Sequence, residues 1–251
     1  MNKRLVYDLP MRVFHGIFAA RFIVAFLIAK TVDDESAAFS YQMLAGFLLV
    51  FTVSLRIIWG FVGSKYSRFS SFALQPKDLV SYFSGMLSGE KRKWAGHNPA
   101  SSWASLAMFG CAIGLGVTGY LMASGQKETF EDLHELFANG FLVVVLMHVA
   151  GIILHSLRHR DGIALSMLHG EKGEVGEGDG IVSRRVGVAV LFIGLVISFA
   201  LYLTRHFDAQ KQTLNLFGNT LQLGENEGNE SGEKESTQGG DKYQEGEKDD
   251  D

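Results

Sequence analysis

Five apolar stretches dominate the first 205 residues of this chain, and each is long enough to cross a membrane. Crossing a hydrocarbon core of about 30 Å takes roughly 20 helical residues. The stretches run over residues 11–31, 40–62, 102–123, 133–157 and 186–204. A backbone in hydrocarbon must satisfy its own hydrogen bonds, and an α-helix does so within one segment. The sequence therefore predicts an all-α integral membrane protein with five transmembrane helices.

Basic residues collect in alternate connections between these stretches. Three lie before or at the start of the first stretch (Lys3, Arg4 and Arg12), six lie between the second and third, and five lie between the fourth and fifth, whereas the other two connections are mostly acidic. Lysine and arginine accumulate on the cytoplasmic side of a membrane. The N-terminus is therefore predicted to be cytoplasmic and the C-terminal tail periplasmic. The cytoplasmic loop 63–101 contains an amphipathic segment, 76–87, predicted to lie on the membrane surface.

The C-terminal segment has a different composition from the rest. Residues 224–251 hold eleven acidic residues and three lysines, a net charge of −8, whereas the whole chain carries −4. A segment this polar cannot bury enough apolar surface to fold. Residues 206–251 are therefore predicted to form an acidic, disordered tail. Its charge either keeps the chain soluble or attracts a basic c-type cytochrome.

Two histidines, His134 and His148, lie fourteen residues apart within the fourth stretch. Fourteen residues are almost four helical turns, so both rings project from nearly the same face, about 21 Å apart along the axis. A histidine inside a transmembrane segment is costly and indicates a functional site. One helix can thus offer an imidazole to each of two stacked cofactors. A hydrogen bond to a neighbouring helix is the structural alternative.

His15 lies near the cytoplasmic end of the first stretch, at a depth that His148 shares. These two rings can face each other across a haem. Two imidazoles on opposite faces of the iron give an electron carrier with no open coordination position. The only cysteine is Cys111, and the chain has no C-x-x-C-H attachment motif, so any haem would be held non-covalently.

Other residues in the stretches allow two interpretations each. Arg56 can bind a haem propionate in bidentate fashion, or anchor the helix at the cytoplasmic interface together with Trp59. Arg21 lies deeper and needs an anionic partner or a polar cavity. Glycines in the third stretch allow either a porphyrin or another helix to approach the backbone closely, and they are Gly110, Gly114, Gly116 and Gly119.

The remaining histidines carry weaker signals. His155 and His159 are four residues apart, which permits a metal pair, but the adjacent Arg158 and Arg160 favour a solvated face. Loops or helix ends are predicted for the others, which receive no role, and these are His97, His169 and His206.

Several short motifs together resemble the bacterial cytochrome b-561 family, which includes the b-type cytochrome subunits of nickel–iron hydrogenases. The resemblance covers about residues 8–172. Its motifs are Arg12 to His15, Leu55 to Gly63, Tyr66 to Phe69, Gly96 to Pro99, His134-Glu135, His148 to Gly151 and Ala164 to Lys172.

The resemblance implies a four-helix transmembrane bundle with two haems b in the bacterial inner membrane. Such proteins pass electrons between the quinone pool and a partner redox protein. By the same resemblance, His15 and His148 match the iron ligands of the inner haem, and His134 matches one ligand of the outer haem.

One ligand position departs from the family pattern. The family's outer haem takes its second ligand from a histidine four residues before a glycine, but here the glycine is Gly46 and the earlier position holds Gln42. Glutamine is a poor haem ligand. Met43 carries a thioether, which cytochromes also use, but it points about 100° away from Gln42 around the helix. The outer haem is absent, five-coordinate at His134, or ligated unusually.

The sequence thus predicts an electron-transfer subunit of a respiratory oxidoreductase complex rather than a stand-alone enzyme, with no catalytic residues of its own. Residues 1–172 form the haem-binding domain, 173–205 a cytoplasmic loop and the fifth helix, and 206–251 the tail. Expected partners are quinone or quinol, a c-type cytochrome or other redox subunit, and membrane lipid, but no nucleic acid.

Two alternatives remain. The chain could be a haem-free or mono-haem membrane anchor for a partner oxidoreductase. It could also be a proton or ion transporter whose polar path is lined by His15, Arg21, His134 and His148.

Overall fold

The structure, a computed structural model, describes residues 3–31, 37–88, 94, 96–159, 163–173, 176 and 178–224. Helices make up most of this part of the chain. In chain order they are α1 (Leu9–Thr31), α2 (Ala37–Val62), α3 (Pro76–Ser88), α4 (Pro99–Leu121), α5 (Lys127–His159), α6 (Ile163–His169) and α7 (Val186–Arg205).

Four stretches of the described chain are long and apolar enough to cross a membrane. They are Leu9–Ile28, Ser40–Val62, Pro99–Arg158 and Val186–Arg205. The third is 60 residues long and contains both α4 and α5. The prediction of a mostly helical membrane protein is therefore confirmed, and each predicted apolar stretch corresponds to one long helix.

Helices α4 and α5 fold back on each other through a tight connection. A turn of π-helix, Met122–Gln126, joins them, and within it Gly125 has a φ of 96°. Glycine is the residue that adopts this conformation without steric cost. Thr118 then lies beside His134, and Gly114 lies against Phe137. A residue earlier in α4 thus faces a residue later in α5, so the two helices run antiparallel.

The starts of α1 and α4 have polar caps. The Asp8 carboxylate accepts a hydrogen bond from the backbone N–H of Met11 at 2.9 Å. Asn98 caps α4 by accepting from the backbone N–H of Ser101 at 2.8 Å, and Pro99 follows at the first helical position. The end of the bundle where α1, α4 and α7 begin is called the basic end below, and the opposite end is called the acidic end.

A short ribbon at the basic end ties the N-terminus to the chain after α6. Strand β1 (Arg4–Leu5) pairs antiparallel with β2 (Glu171–Lys172). Beside this ribbon, the backbone N–H of Val6 donates to the carbonyl of Gly170 at 2.8 Å. The ribbon therefore holds the start of α1 against the chain that follows α6.

Helix α7 packs on α1 and α2 through aromatic rings. Phe192 lies 4.8 Å from Phe14 and 5.7 Å from Trp59 between ring centroids, and Phe199 stacks on Phe51 at 4.4 Å. Three of these rings are buried and two, Phe51 and Phe199, are partly buried, so they contribute to the packing energy between the helices.

A three-stranded antiparallel sheet follows α7 at the acidic end. Its strands are β3 (Phe207–Asp208), β4 (Thr213–Leu216) and β5 (Asn219–Gln222). Phe217 and Gly218 form the β4–β5 turn with φ of 50° and 91°. Buried leucines anchor the sheet to α2 and α7, and they are Leu44, Leu203, Leu214, Leu221 and Leu223.

The sheet corrects the predicted boundary of the tail. A disordered tail was expected from residue 206, but residues 207–222 form the strands and turns of this sheet. The reason is burial, because the sheet covers apolar side chains at the ends of α2 and α7. The acidic residues 225–251 lie outside the described residues.

Candidate functional site

A cavity of about 450 Å³ lies between α1, α2, α4 and α5 towards the basic end. His15 lines it from α1 and His148 lines it from α5. Arg56 and His97 also line it, from α2 and from the residues before α4. The structure thus brings together three residues predicted from the sequence and one that was given no role. The fourth predicted residue, His134, is not part of this lining.

The histidines of α5 follow a regular spacing. His134, Phe141 and His148 are seven residues apart, so their side chains lie on nearly one face at steps of about 10 Å along the axis. Phe141 is buried and packs against Phe18 and Phe22 of α1, each with 5.7 Å between ring centroids. A cluster of aromatic rings therefore separates the cavity at His148 from the surroundings of His134.

Arg56 brings a buried cation to the basic end of the cavity. Its guanidinium carbon lies 5.4 Å from the Phe69 ring centroid and 5.5 Å from that of Phe109. These distances are typical of cation–π contacts. Its Nη1 is buried and has no hydrogen-bond partner among the described residues. A buried donor without a partner costs stability, so this atom suits an anionic group in the cavity.

His97 offers a second polar atom at the same end. The ring is buried, and its centroid lies 5.5 Å from that of Tyr7 and 5.0 Å from that of Phe72. Its Nδ1 also has no hydrogen-bond partner within the described part of the chain. Arg56 and His97 therefore form a polar end to a cavity whose other walls are mainly apolar.

A buried carboxylate supports this polar end from behind. Besides capping α1, Asp8 accepts hydrogen bonds from Trp59 Nε1 at 3.2 Å and from Ser67 Oγ at 2.9 Å. The negative charge of Asp8 also attracts the guanidinium of Arg56 electrostatically. Asp8 therefore fixes the start of α1, which carries His15, to the end of α2, which carries Arg56.

The His97 ring is held in its neutral form. Burial lowers the pKa of His97 from 6.5 to about 3, with smaller contributions from Arg56, His148, Lys172 and His15. Between pH 6.5 and 3, His97 is protonated in the unfolded chain but neutral in the folded one. Its contribution to the free energy of unfolding is therefore fully present above about pH 6.5 and decreases as the pH falls below that value.

We expect the haem-free protein to lose about 2 kcal/mol of unfolding free energy between pH 7 and pH 5 through His97 alone. The measurement is denaturant unfolding in detergent micelles at both pH values. The variant His97→Gln should lose less on acidification. Equal losses in the two proteins would contradict the assignment.

The cavity residues fit a haem b. His15 and His148 supply the two imidazoles that a low-spin iron requires. Arg56 Nη1 and His97 Nδ1 are buried polar atoms with no hydrogen-bond partner in the part of the chain that the structure describes, as expected for groups that meet propionate carboxylates. The mainly apolar remainder of the lining suits a porphyrin ring.

The surroundings of His134 fit a haem less well, although the ring itself is well oriented. Thr118 Oγ1 lies 2.8 Å from His134 Nδ1 and donates its own proton to the carbonyl of Gly114 at 2.8 Å. The hydroxyl oxygen therefore accepts from Nδ1–H, which leaves Nε2 as the basic nitrogen. This is how ligating histidines are commonly held.

Among the described residues, no hydrogen bond or ring contact joins Gln42 or Met43 to His134. Gln42 stands where the resemblance implies a histidine, and Met43 packs against the apolar cluster formed by α2, α7 and the sheet. Arg21 Nη1 donates to the carbonyl of Ala45 at 2.8 Å, next to Gly46. This backbone carbonyl is the partner that the sequence did not reveal.

The structure assigns two of the four glycines of α4 to helix packing. A Cβ at Gly114 would lie 2.6 Å from Phe137, and one at Gly116 would lie 2.5 Å from Val50. Gly119 lies beside His134, and a Cβ at Gly119 would lie 3.4 Å from His134 Cε1. Gly110 has open space around it. The packing interpretation therefore holds for Gly114 and Gly116.

Sequence reasoning missed His97 and Asp8, and it placed His155 wrongly. His97 was set aside as a loop residue, although it belongs to the motif Gly96 to Pro99. Asp8 precedes the first apolar stretch directly, and a lone acid there is a recognisable helix cap. His155 was predicted on a solvated face but is buried, because α3 covers it.

A family model described as prokaryotic cytochrome b561 matches residues 6–170, which include every residue that lines the cavity. The chain belongs to this cytochrome b561 family. The resemblance inferred from the motifs is therefore confirmed. Membership implies a b-type haem, which the cavity residues fit.

Two similar proteins support the same assignment. The chain is 28% identical over 146 residues to the "Probable Ni/Fe-hydrogenase 1 B-type cytochrome subunit" of Escherichia coli strain K12, a match that covers 49% of this chain and 61% of that protein. It is 24% identical over 210 residues to the "Probable Ni/Fe-hydrogenase B-type cytochrome subunit" of Rhizobium leguminosarum bv. viciae, covering 66% and 87%. The chain thus spans less than two thirds of the E. coli relative. No solved structure gives a significant match.

Proposed function

We propose that this cytochrome b561 family member is the membrane electron-transfer subunit of a redox complex and holds one haem b in the cavity between α1 and α5. The observation that carries the proposal is the coincidence of four groups on one cavity. Two facing helices each supply an imidazole, and two buried polar atoms that have no hydrogen-bond partner among the described residues lie at one end.

Each cavity residue has a distinct role in this proposal. His15 and His148 would hold the haem iron, and Arg56 and His97 would bind the propionates. Asp8 positions Arg56 and the start of α1. When bound, the haem supplies reversible one-electron chemistry. The apolar walls exclude water from the cavity. The solvation around the haem would therefore change little between its oxidised and reduced forms.

The site near His134 is incomplete in this proposal. Its imidazole is oriented by Thr118, but neither Gln42 nor Met43 provides a second ligand. We therefore expect one haem per chain rather than the two that are typical of the family.

The proposed topology has five crossings with a cytoplasmic N-terminus and a periplasmic C-terminal tail. The antiparallel arrangement of α4 and α5 supports two crossings within the third apolar stretch. The concentration of lysine and arginine in the connections at the basic end supports its cytoplasmic placement.

Proposed partners are a quinone or quinol in the membrane and a second redox protein. The relatives are named as hydrogenase cytochrome subunits, so a hydrogenase is the first candidate for the second protein. The acidic residues 225–251 would also suit a basic c-type cytochrome on the periplasmic side.

The transporter alternative requires four polar residues to line one path. The structure instead places His15 and His148 on the cavity, His134 on Thr118, and Arg21 on the Ala45 carbonyl. The contacts of these residues therefore favour a cofactor site over a continuous polar path.

The haem content of the purified protein tests the proposal. A pyridine haemochrome assay on the full chain, expressed in haem-replete cells, should give one haem b per chain and a sharp b-type spectrum on reduction. A protein without haem would overturn the proposal and leave the membrane-anchor alternative. Two haems would show that Gln42 does not disable the second site.

A further inference from the structure

The hairpin formed by β4 and β5 reaches back along α7 towards the middle of the bundle. At its tip, the Phe217 ring lies 5.3 Å from the Tyr202 ring and 6.5 Å from the Phe199 ring, between centroids. The apolar span of α7 ends at Arg205, three residues after Tyr202 and six after Phe199. At about 1.5 Å rise per residue, these two positions lie roughly 5 and 9 Å inside the end of the span. The tip of the hairpin therefore lies at the depth of the apolar part of α7.

The tip combines an unusual backbone conformation with an exposed ring. Phe217 has a φ of 50° and Gly218 a φ of 91°, as the two central residues of a type I′ hairpin turn do. This turn favours Asn-Gly, because a bulky side chain is strained at positive φ. Phe217 nevertheless occupies the first position and is 75% exposed. Its stacking on Tyr202 leaves most of the ring uncovered, which indicates a contact outside the described chain.

The chain around the tip carries no charge. The sequence from residue 212 to residue 224 contains only apolar and uncharged polar residues. The charged residues of the sheet, Asp208 and Lys211, lie at the opposite end of the hairpin from Phe217, in β3 and the turn that follows it. Charged side chains are costly in hydrocarbon. The uncharged end is thus the end that lies beside the apolar span of α7.

Side chains satisfy the backbone donors of the turn. The N–H of Phe217 donates to the Tyr202 hydroxyl oxygen at 2.9 Å, and the N–H of Gly218 donates to Asn215 Oδ1 at 3.0 Å. At a turn in water, solvent can serve this purpose. In hydrocarbon, every backbone N–H needs a partner within the protein. The turn therefore has the hydrogen bonding that surroundings without water require.

We propose that the β4–β5 hairpin dips into the lipid leaflet at the acidic end, with Phe217 as its membrane anchor. The partner is the glycerol and acyl-chain region of the lipids, where exposed aromatic rings are favoured. Exposed apolar residues at a similar depth on α7, Ile197 and Leu201, extend the same lipid-facing surface. The inference goes beyond the proposed function and does not depend on the haem, because the sheet follows the residues that the family model matches.

An anchored hairpin holds the sheet over the acidic end of the bundle. Leu214 and Leu221 pack from the sheet into the same apolar cluster as Leu44 of α2 and Leu203 of α7. Strand β5 also contacts the turn that joins α4 to α5. The sheet thus extends from α7 to that turn, and lipid contact at the tip would fix this cover in place.

Spin labels on the full chain in vesicles of phosphatidylethanolamine and phosphatidylglycerol test the proposal. The background variant is Cys111→Ala, and single nitroxides are attached at Asn219→Cys beside the tip or at Gln210→Cys in the turn at the other end. Oxygen concentrates in lipid, whereas a polar nickel chelate stays in water. We expect the nickel accessibility to be about tenfold lower at position 219 than at position 210, and the oxygen accessibility to be higher.

A second variant tests the role of the Phe217 ring. The change Phe217→Asn suits the type I′ turn and removes the ring. We expect the nickel accessibility at position 219 to rise about tenfold, to the value at position 210. The matched control is Phe61→Asn, which removes a ring of similar exposure, 71%, at the basic end of α2. It should leave both labels unchanged.

The outcomes distinguish lipid from water and from protein. Equal nickel accessibility at the two positions would place the tip in water and overturn the proposal. A label at position 219 that neither oxygen nor nickel reaches would show that a protein partner or a second copy covers the tip, and would also overturn it. If Phe217→Asn does not fold, the two labels in the chain that keeps Phe217 decide. The haem content does not enter either measurement, so the proposed function stands or falls separately.

Discussion

Replacing His148 with alanine is expected to abolish the low-spin b-type spectrum. The side chain supplies one of two proposed iron ligands, and its removal leaves His15 as the only imidazole from a helix wall of the cavity. An iron with a single strong ligand becomes high-spin or is lost from the protein. We therefore expect haem content to fall at least tenfold, or the remaining haem to show a high-spin spectrum. Optical spectra of reduced membranes and of purified protein give the measurement.

Two further measurements make this result specific. The variant His206→Ala removes an exposed histidine at the acidic end and should keep the wild-type spectrum. Imidazole added to His148→Ala can enter the space left by the side chain and should restore a low-spin spectrum. An unchanged spectrum in His148→Ala without imidazole would show that His148 is not an iron ligand.

Replacing Gln42 with histidine is expected to raise the haem content from one to two per chain. His134 already has its Nδ1 proton held by Thr118, so its Nε2 is available as a ligand. The missing component is a second imidazole at the position four residues before Gly46. Pyridine haemochrome assays on the wild type and on Gln42→His measure the change directly.

The double variant Gln42→His with His134→Ala provides the control for this result. It should return to one haem, because the new site again has a single ligand. A wild-type protein with two haems would contradict the expectation, and so would a Gln42→His protein that still binds one. In the second case the Arg21 guanidinium, bonded to the Ala45 carbonyl, would be the first candidate for the obstruction.

The helices and the inner histidine pair could be predicted because each depends on local patterns. Apolar stretches of about 20 residues determine helices in hydrocarbon almost regardless of their neighbours. The depth of His15 and His148 follows from counting residues along two helices. Their common cavity could then be anticipated without knowing how the helices pack.

The polar end of the site could not be predicted in the same way, because it depends on residues that are distant in sequence. His97 has no periodic neighbours, and its burial comes from Tyr7 and Phe72. Likewise, His155 lies next to charged residues in sequence, yet Tyr82 of α3 covers it in space. Only the tertiary packing decides which of these rings meets water.

The C-terminal sheet escaped prediction for a different reason. Its strands contain alternating leucines around the Phe217–Gly218 turn, which is a typical hairpin signal. The composition of residues 206–251 taken together is dominated by the acidic residues from Glu225 onwards, so this short pattern was not recognised. A shorter window would have separated the two segments.

The ribbon between β1 and β2 has a consequence for synthesis on the ribosome. Every residue that lines the cavity lies between Tyr7 and Met167, and the ribbon closes at Lys172, before α7 begins at Val186. The pocket can therefore close before the segment from α7 onwards has been completed. The final helix and the sheet are then added to a pocket that is already formed, so cofactor loading need not wait for release of the finished polypeptide.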